Sequence, residues 1–289
     1  MKVEFLAWVM AALLVVGLSF SPGARADEAA VRAACTADNS PRLKEIYDRG
    51  VLHWAVGIAA PFAAKDMQGK YVGIEPENAA EFAGILGIDV EINNYSYDLL
   101  PPSLAAGKTD IVGAFLYITD KRKEVIDFSE PYQREGQVFV VLKSRTDLNS
   151  IEDLNKSGIK VVNNIGSGQV ELSKRLLPNA THAIADMSVA AGGAHFLITG
   201  QYDVTMVDGA SFPLSTKASQ GAVKMIGTNG VVDGDVPPGD ETIEPFDIGF
   251  GVAKGDPGFL ACVNAYVAYL REDGRLYARY ARWVKKMVE

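Results

Sequence analysis

The sequence predicts an α/β protein built as two small lobes, and three observations carry that prediction. From residue 52 onward, short β-rich runs alternate with helical stretches, the pattern of sheets with parallel strands covered by helices. About nine such runs occur with no internal repeat, which suits two small sheets better than one long one. Residues 257–288 then break the alternation and read as two consecutive helices divided at Asp273-Gly274.

The chain begins with an address. Residues 5–20 form one uncharged apolar run between Lys2 and the small-x-small site Ala24-Arg25-Ala26. That is the layout of a secretory signal peptide, with cleavage expected before Asp27. A run of 16 residues followed by Ser21-Pro22-Gly23 is short for the rival reading, an uncleaved anchor. Export places Cys35 and Cys262 in an oxidising compartment, where the residues alone leave a disulfide and two buried thiols equally open.

Strands are expected over 52–58, 89–95, 110–115, 137–144, 159–164, 181–186, 203–208, 222–227 and 247–254. Helices are expected over 76–86, 150–157, 168–177 and 189–199, with turns at Gly69, Gly107, Gly158, Gly200 and Gly255. The stretch 228–246, rich in Gly, Pro and acids, reads as a surface loop. Ala261, Ala265, Ala268 and Tyr269 mark the expected apolar face of the first terminal helix. Tyr277, Tyr280, Ala281 and Val284 mark that of the second.

Composition narrows the function. The 289 residues are 48% apolar, enough for sizeable cores, and carry a formal charge of −8 from 28 basic and 36 acidic side chains. No basic run exceeds Lys121-Arg122-Lys123, so nucleic acid drops out as a partner. His53, His182 and His195 lack ligand spacing, and the acids of 228–246 lack the order of a calcium cage, so no metal is expected. No motif calls for a cofactor.

Ligands of open α/β sheets sit beyond the carboxyl ends of strands, and three such ends carry suitable chemistry. After the strand 110–115, Thr119 can cap a short helix that holds Arg122, whose guanidinium suits a carboxylate. After 159–164, Ile165-Gly166-Ser167-Gly168-Gln169 can turn backbone N–H groups toward an anion at a helix start. The spacing is not that of a phosphate loop. Asp208, ending the strand 203–208, can hold an ammonium group or cap the next helix. Together, one cation, one anion-binding turn and one acid suit a zwitterion.

The chain resembles the bacterial extracellular solute-binding proteins of family 3, the polar amino-acid receptors of ABC importers, from about Leu43 to Trp283. The most specific match is Ile118-Thr119-Asp120-Lys121-Arg122 followed by Asp127-Phe128-Ser129-Glu130-Pro131-Tyr132. Gly69-Lys70-Tyr71-Val72-Gly73 and Leu104 to Asp110 before it, and Ile151 to Leu154 and Gly200 to Asp203 after it, match in the same order. The resemblance implies a type II-like periplasmic-binding-protein fold, two sheets joined by two hinge strands. It implies lobe 1 over 27–141, lobe 2 over 142–244 and a return to lobe 1 over 245–289. It also implies a monomer in the periplasm, partnered by an inner-membrane ABC permease, with Arg122 on a ligand carboxylate, Asp208 on its amino group, and backbone help at Ser167 and Gly168. Placing Cys35 and Cys262 in one lobe, it favours their disulfide.

Two departures bear on the ligand. Tyr117 stands where the family carries a small hydroxyl residue, and Gly57-Ile58-Ala59-Ala60-Pro61-Phe62 is shorter than the usual segment and lacks its acid. Phe62, Tyr97, Phe115 and Tyr117 therefore line the expected pocket. They point to a ligand with an apolar or aromatic portion, or one that is not a standard α-amino acid, unless the rings fill the cleft. An enzymatic alternative, a cyclohexadienyl or arogenate dehydratase-like activity on the same fold, needs a Glu where Gln169 stands; Gln cannot act as an acid. A ligand-sensing adaptor is the third reading.

Overall fold

A computed structural model describes residues 28–187, 193–234 and 239–289. The expected signal peptide, residues 188–192 of the region around the expected helix 189–199, and Asp235 of the acidic stretch lie outside the described residues.

The first lobe opens with α1 (Glu28–Ala34) and α2 (Pro41–Arg49), the latter capped by Ser40, whose hydroxyl accepts from Leu43 N at 3.0 Å. There follow β1 (Val51–Val56), the hairpin β2 (Ala64–Lys65) and β3 (Tyr71–Val72), α3 (Ile74–Leu86) and β4 (Asp89–Asn94). Next come α4 (Leu100–Ala105), β5 (Ile111–Val112), α5 (Asp120–Lys123) and β6 (Ile126–Phe128). The chain then crosses on β7 (Gln133–Leu142).

The second lobe contains α6 (Ile151–Leu154), β8 (Lys160–Asn164), α7 (Gly168–Leu176), β9 (Thr181–Ala185) and α8 (Ala194–Ile198). It continues through β10 (Val204–Asp208), α9 (Phe212–Ala218), β11 (Val223–Gly227) and β12 (Gly230–Val232). The chain returns on β13 (Ile243–Ile248) to β14 (Gly251–Ala253), and ends in α10 (Pro257–Arg271) and α11 (Arg275–Val288).

Each lobe has its own sheet, as expected. The first runs β4-β1-β5-β14-β6, and the second β12-β11-β7-β10-β8-β9 with β13 added against β7. Pairing is parallel within the β-α units and antiparallel where the chain crosses, so both sheets are mixed rather than parallel throughout. The two crossings lie side by side: Gln133, Arg134 and Glu135 of β7 pair with Ile248, Asp247 and Phe246 of β13. This is the two-lobed architecture with two hinge strands.

Two sequence expectations need correction here. The stretch 228–246 is not all surface loop, because it supplies β12 and the start of the second hinge strand. Its Gly and Pro residues hide two short strands: β12 closes a tight hairpin with β11, and β13 finds its partner, β7, far away in sequence. The expected strand 247–254 is two strands, interrupted at Gly249 and Phe250 where the chain leaves the hinge for the first sheet.

The first lobe packs around Trp54, whose ring meets Phe250 edge-on at 5.2 Å, and around Phe82, stacked on Tyr266 at 4.5 Å. On α10 the buried face is Phe259, Cys262, Val263, Tyr266, Val267, Tyr269 and Leu270, while Ala261 and Ala268 face out. Larger side chains remove more apolar area from water, so the helix turns them inward rather than the alanines. On α11 the buried positions are Leu276 and Arg279, while Tyr277 is 76% exposed and Ala281 also faces solvent. Cys35 and Cys262 form a disulfide that ties the end of α1 to α10. No helix among the described residues is long and apolar enough to cross a membrane.

Candidate functional site

Between the lobes lies a cavity of about 570 Å³. From the first lobe it is lined by Ile58 to Ala60 beyond β1, Lys65 of β2, Asn94 at the end of β4, and Tyr97, Phe115, Tyr117 and Arg122. From the second it is lined by Asn164 at the end of β8, Ser167 to Gln169 at the start of α7, and Met206 to Asp208 closing β10. Both lobes thus present the carboxyl ends of their strands to one space, where open α/β sheets hold ligands.

Seven of the expected site residues meet there: Tyr97, Phe115, Tyr117, Arg122, Ser167, Gly168 and Asp208. Two do not line the cavity. Phe62, 1% exposed, lies behind Phe115 with ring centres 3.6 Å apart and planes 11° from parallel. Phe115 itself has φ +51°, and its N–H donates to the buried Glu75 carboxylate at 3.2 Å. Thr119 works one step back: its hydroxyl caps α5, accepting from Arg122 N at 3.4 Å. The aromatic rings narrow the space without filling it.

Arg122 is aimed inward between the exposed Lys121 and Lys123. Its guanidinium donates to Tyr117 O at 2.8 Å and, across the cleft, to Gly166 O at 3.1 Å. No ion pair joins it to an acid among the described residues. Burial pulls its pKa down to about 10, a sign of a cation short of counter-charge. Gly166 has φ +70°, and a Cβ there would run into Asp98 N of the opposite lobe, so the closed approach requires glycine.

Asp208 does not cap the following turn. Its Oδ1 accepts from the Tyr117 hydroxyl at 2.5 Å and from Gln137 Nε2 at 3.1 Å. Gln169 Nε2 completes the circuit, donating to the Tyr117 oxygen at 2.6 Å and to Gln137 Oε1 at 3.0 Å. Burial raises the pKa of Asp208, and burial together with the Asp208 charge raises that of Tyr117. Next to this circuit, Glu135 of β7 accepts from Ala210 N at 3.0 Å, and burial followed by the Asp208 charge pushes its pKa up to about 7.

Sequence reasoning missed Gln137, Glu135, Lys65, Asn94 and Asn164. Gln137 and Glu135 precede the apolar part of β7, and only the pairing of Gln137 opposite Asp208 reveals a role. The sequence places Gln169 in the anion-binding turn and rules it out as an acid, but gives no sign of its side-chain bonds to Tyr117 and Gln137. Ser167 donates its hydroxyl to Asn164 O at 2.8 Å, which fixes the turn before α7. No cluster of metal-ligating side chains is present among the described residues.

The model of the bacterial extracellular solute-binding proteins, family 3, matches residues 52–286. The chain belongs to that family. It is 28% identical over 277 residues to a "Probable histidine-binding protein" of Neisseria gonorrhoeae, covering 94% of each chain. It is 27% identical over 282 residues to the L-cystine-binding protein TcyJ of Escherichia coli K12, covering 97% of this chain and 94% of that one. Among solved structures it resembles the ancestral amino acid-binding protein AncCDT-1, a precursor of cyclohexadienyl dehydratase. That match has a TM-score of 0.70 and 31% identity, over 83% of this chain and 98% of the other. This family member is thus a solute-binding protein with its cleft at the lobe interface.

Proposed function

We propose that the exported protein captures an amino acid or related small carboxylate in the cleft and delivers it to an inner-membrane ABC permease, acting in the periplasm as a monomer without catalysis. Arg122 carries this reading: a partly buried guanidinium lines the cavity with no acidic partner among the described residues. A ligand carboxylate supplies the missing charge through paired hydrogen bonds. The start of α7 adds a favourable dipole beside Ser167 and Gly168. Closure about β7 and β13 is a two-state shift drawn toward the closed form by the ligand.

The non-catalytic reading is supported against a dehydratase-like activity by Gln169, whose amide is committed to Tyr117 and Gln137 and cannot act as an acid. The test is a thermal-shift panel of amino acids, aromatic carboxylates, prephenate and small organic acids on protein unfolded and refolded to strip bound solute. A ligand at 100 times its Kd stabilises by about 2.7 kcal/mol. Arg122→Ala should weaken binding by about 2–5 kcal/mol. Unchanged affinity in that variant removes Arg122 from the site, and conversion of prephenate removes the non-catalytic reading. A panel without any shift removes the carboxylate reading and directs the search to protein partners.

A further inference from the structure

We infer that Tyr117 is a built-in substitute for a ligand ammonium group, so that the cleft selects a carboxylate-bearing solute lacking an α-ammonium. The inference rests on the proposed role of Arg122 and deepens it by naming the ligand class.

The Asp208 carboxylate is the one acid lining the cavity among the described residues, and so the one counter-charge there for an ammonium. One of its two oxygens, Oδ1, is already engaged. Tyr117 and Gln137 both donate to its Oδ1, and Gln169 holds the Tyr117 oxygen from the other side. At that oxygen the donor that would come from a ligand ammonium comes from the protein instead, and the Tyr117 ring stands where such a group would approach.

Tyr117 is also not a movable plug. One face of its ring lies on Phe246 of the second hinge strand, with centres 4.6 Å apart and planes 6° from parallel. Against the ring also lies the backbone at Gly168, where a Cβ would fall into it. The backbone at Tyr117 bridges to Ile248. The side chain is 4% exposed. Moving it away from Asp208 would break a packed joint at the hinge and open a circuit of buried hydrogen bonds, whose unpaired members carry a desolvation cost.

Charge agrees. Lys65 and Arg122 are the cations among the described lining residues, against Asp208 alone as anion. A monoanionic ligand brings that set to neutrality, whereas a zwitterion leaves it with one positive charge in excess. Part of the remaining wall, with Ile58, Ala59, Phe115 and Met206, suits an apolar body, while Asn94, Asn164 and Ser211 add polar groups.

Matched pairs differing only in the α-ammonium test this: L-phenylalanine with 3-phenylpropionate, L-leucine with 4-methylpentanoate, and L-arginine with 5-guanidinopentanoate. Calorimetric titration of the refolded wild type should show at least tenfold tighter binding of the ammonium-free member in the pair that binds. Tyr117→Ser should free Asp208 and shift that ratio at least tenfold toward the amino acid. Tyr117→Phe keeps the ring stack and removes only the hydroxyl, and it should shift the ratio the same way if the serine variant does not fold. Preference of the wild type for the amino acid, with dependence on Arg122 retained, overturns the inference and leaves the carboxylate reading standing. A ratio unmoved in Tyr117→Phe also overturns it. Absence of binding by every member overturns both.

Discussion

Glu135→Gln should change how stability responds to pH. The Glu135 carboxyl is held at about 7 in the folded protein, against an ordinary value of 4.5, first by burial and then by the neighbouring Asp208 charge. A raised carboxyl favours the protonated fold, so its contribution is intact below pH 4.5 and is lost as pH rises through 7. The gap between the two values corresponds to about 3 kcal/mol, most of it lost between about pH 4.5 and 7. Glutamine keeps an acceptor for Ala210 N, which Glu135 now binds at 3.0 Å, but carries no proton to lose. The two proteins should therefore be similar in stability at pH 4.5, with the variant ahead by about 3 kcal/mol at pH 8. At about 2–4 °C per kcal/mol for a chain near this size, the difference in Tm is easily measured by scanning calorimetry in buffers from pH 4.5 to 8. Parallel profiles across that range would refute the argument that the hinge carboxyl is held protonated by its surroundings.

Two further outcomes are expected. Replacing Cys35 and Cys262 together with Ser should lower unfolding stability by about 2–5 kcal/mol in a urea titration, because the bridge closes a long loop in the unfolded chain. The bridge spans 227 positions of sequence, and reducing agent should reproduce the loss in the wild type. Arg279→Ala should cost about 3–5 kcal/mol, since breaking a buried charge network strands its partners. Its guanidinium, 6% exposed, reaches Glu81 at 2.9 Å, Glu77 at 3.5 Å and the Asn78 side chain.

The fold was legible wherever a signal is local. Alternating β and helical periods located both sheets, Thr119 capped the helix that carries Arg122, and the glycines after β8 marked the turn into α7. What stayed hidden depends on distant pairing. Residues 243–246 look like loop because Glu244-Pro245 breaks any strand pattern, yet β7 supplies the partner that makes them a hinge. Gln-Arg-Glu-Gly at 133–136 shows no apolar alternation for the same reason. In the site, Arg122 and Asp208 could be singled out by charge at strand ends. The use of Tyr117 could not, because nothing in its neighbours along the chain says that its hydroxyl reaches a carboxylate 91 positions away. Phe62 lies off the cavity because the ring stacked on it, Phe115, takes the cavity face.

The last helix gives the lobes a third attachment. From α11, Arg279, Arg282 and Trp283 bind Glu77 or Glu81 on α3 of the first lobe. On the other side Tyr280 donates to Ala210 O at 2.5 Å, two residues past Asp208, and Lys217 of α9 donates to Met287 O at 3.1 Å. Two strands crossing side by side can twist as well as bend, and an attachment from α11 to both lobes adds bonds that either motion has to strain. Every swing that parts the lobes must also release these bonds or drag the helix along, so the resting position of the clamp is weighted from the tail of the chain. Because apparent affinity scales with the fraction of molecules in the competent state, shortening that tail retunes ligand capture without touching a single residue of the cleft.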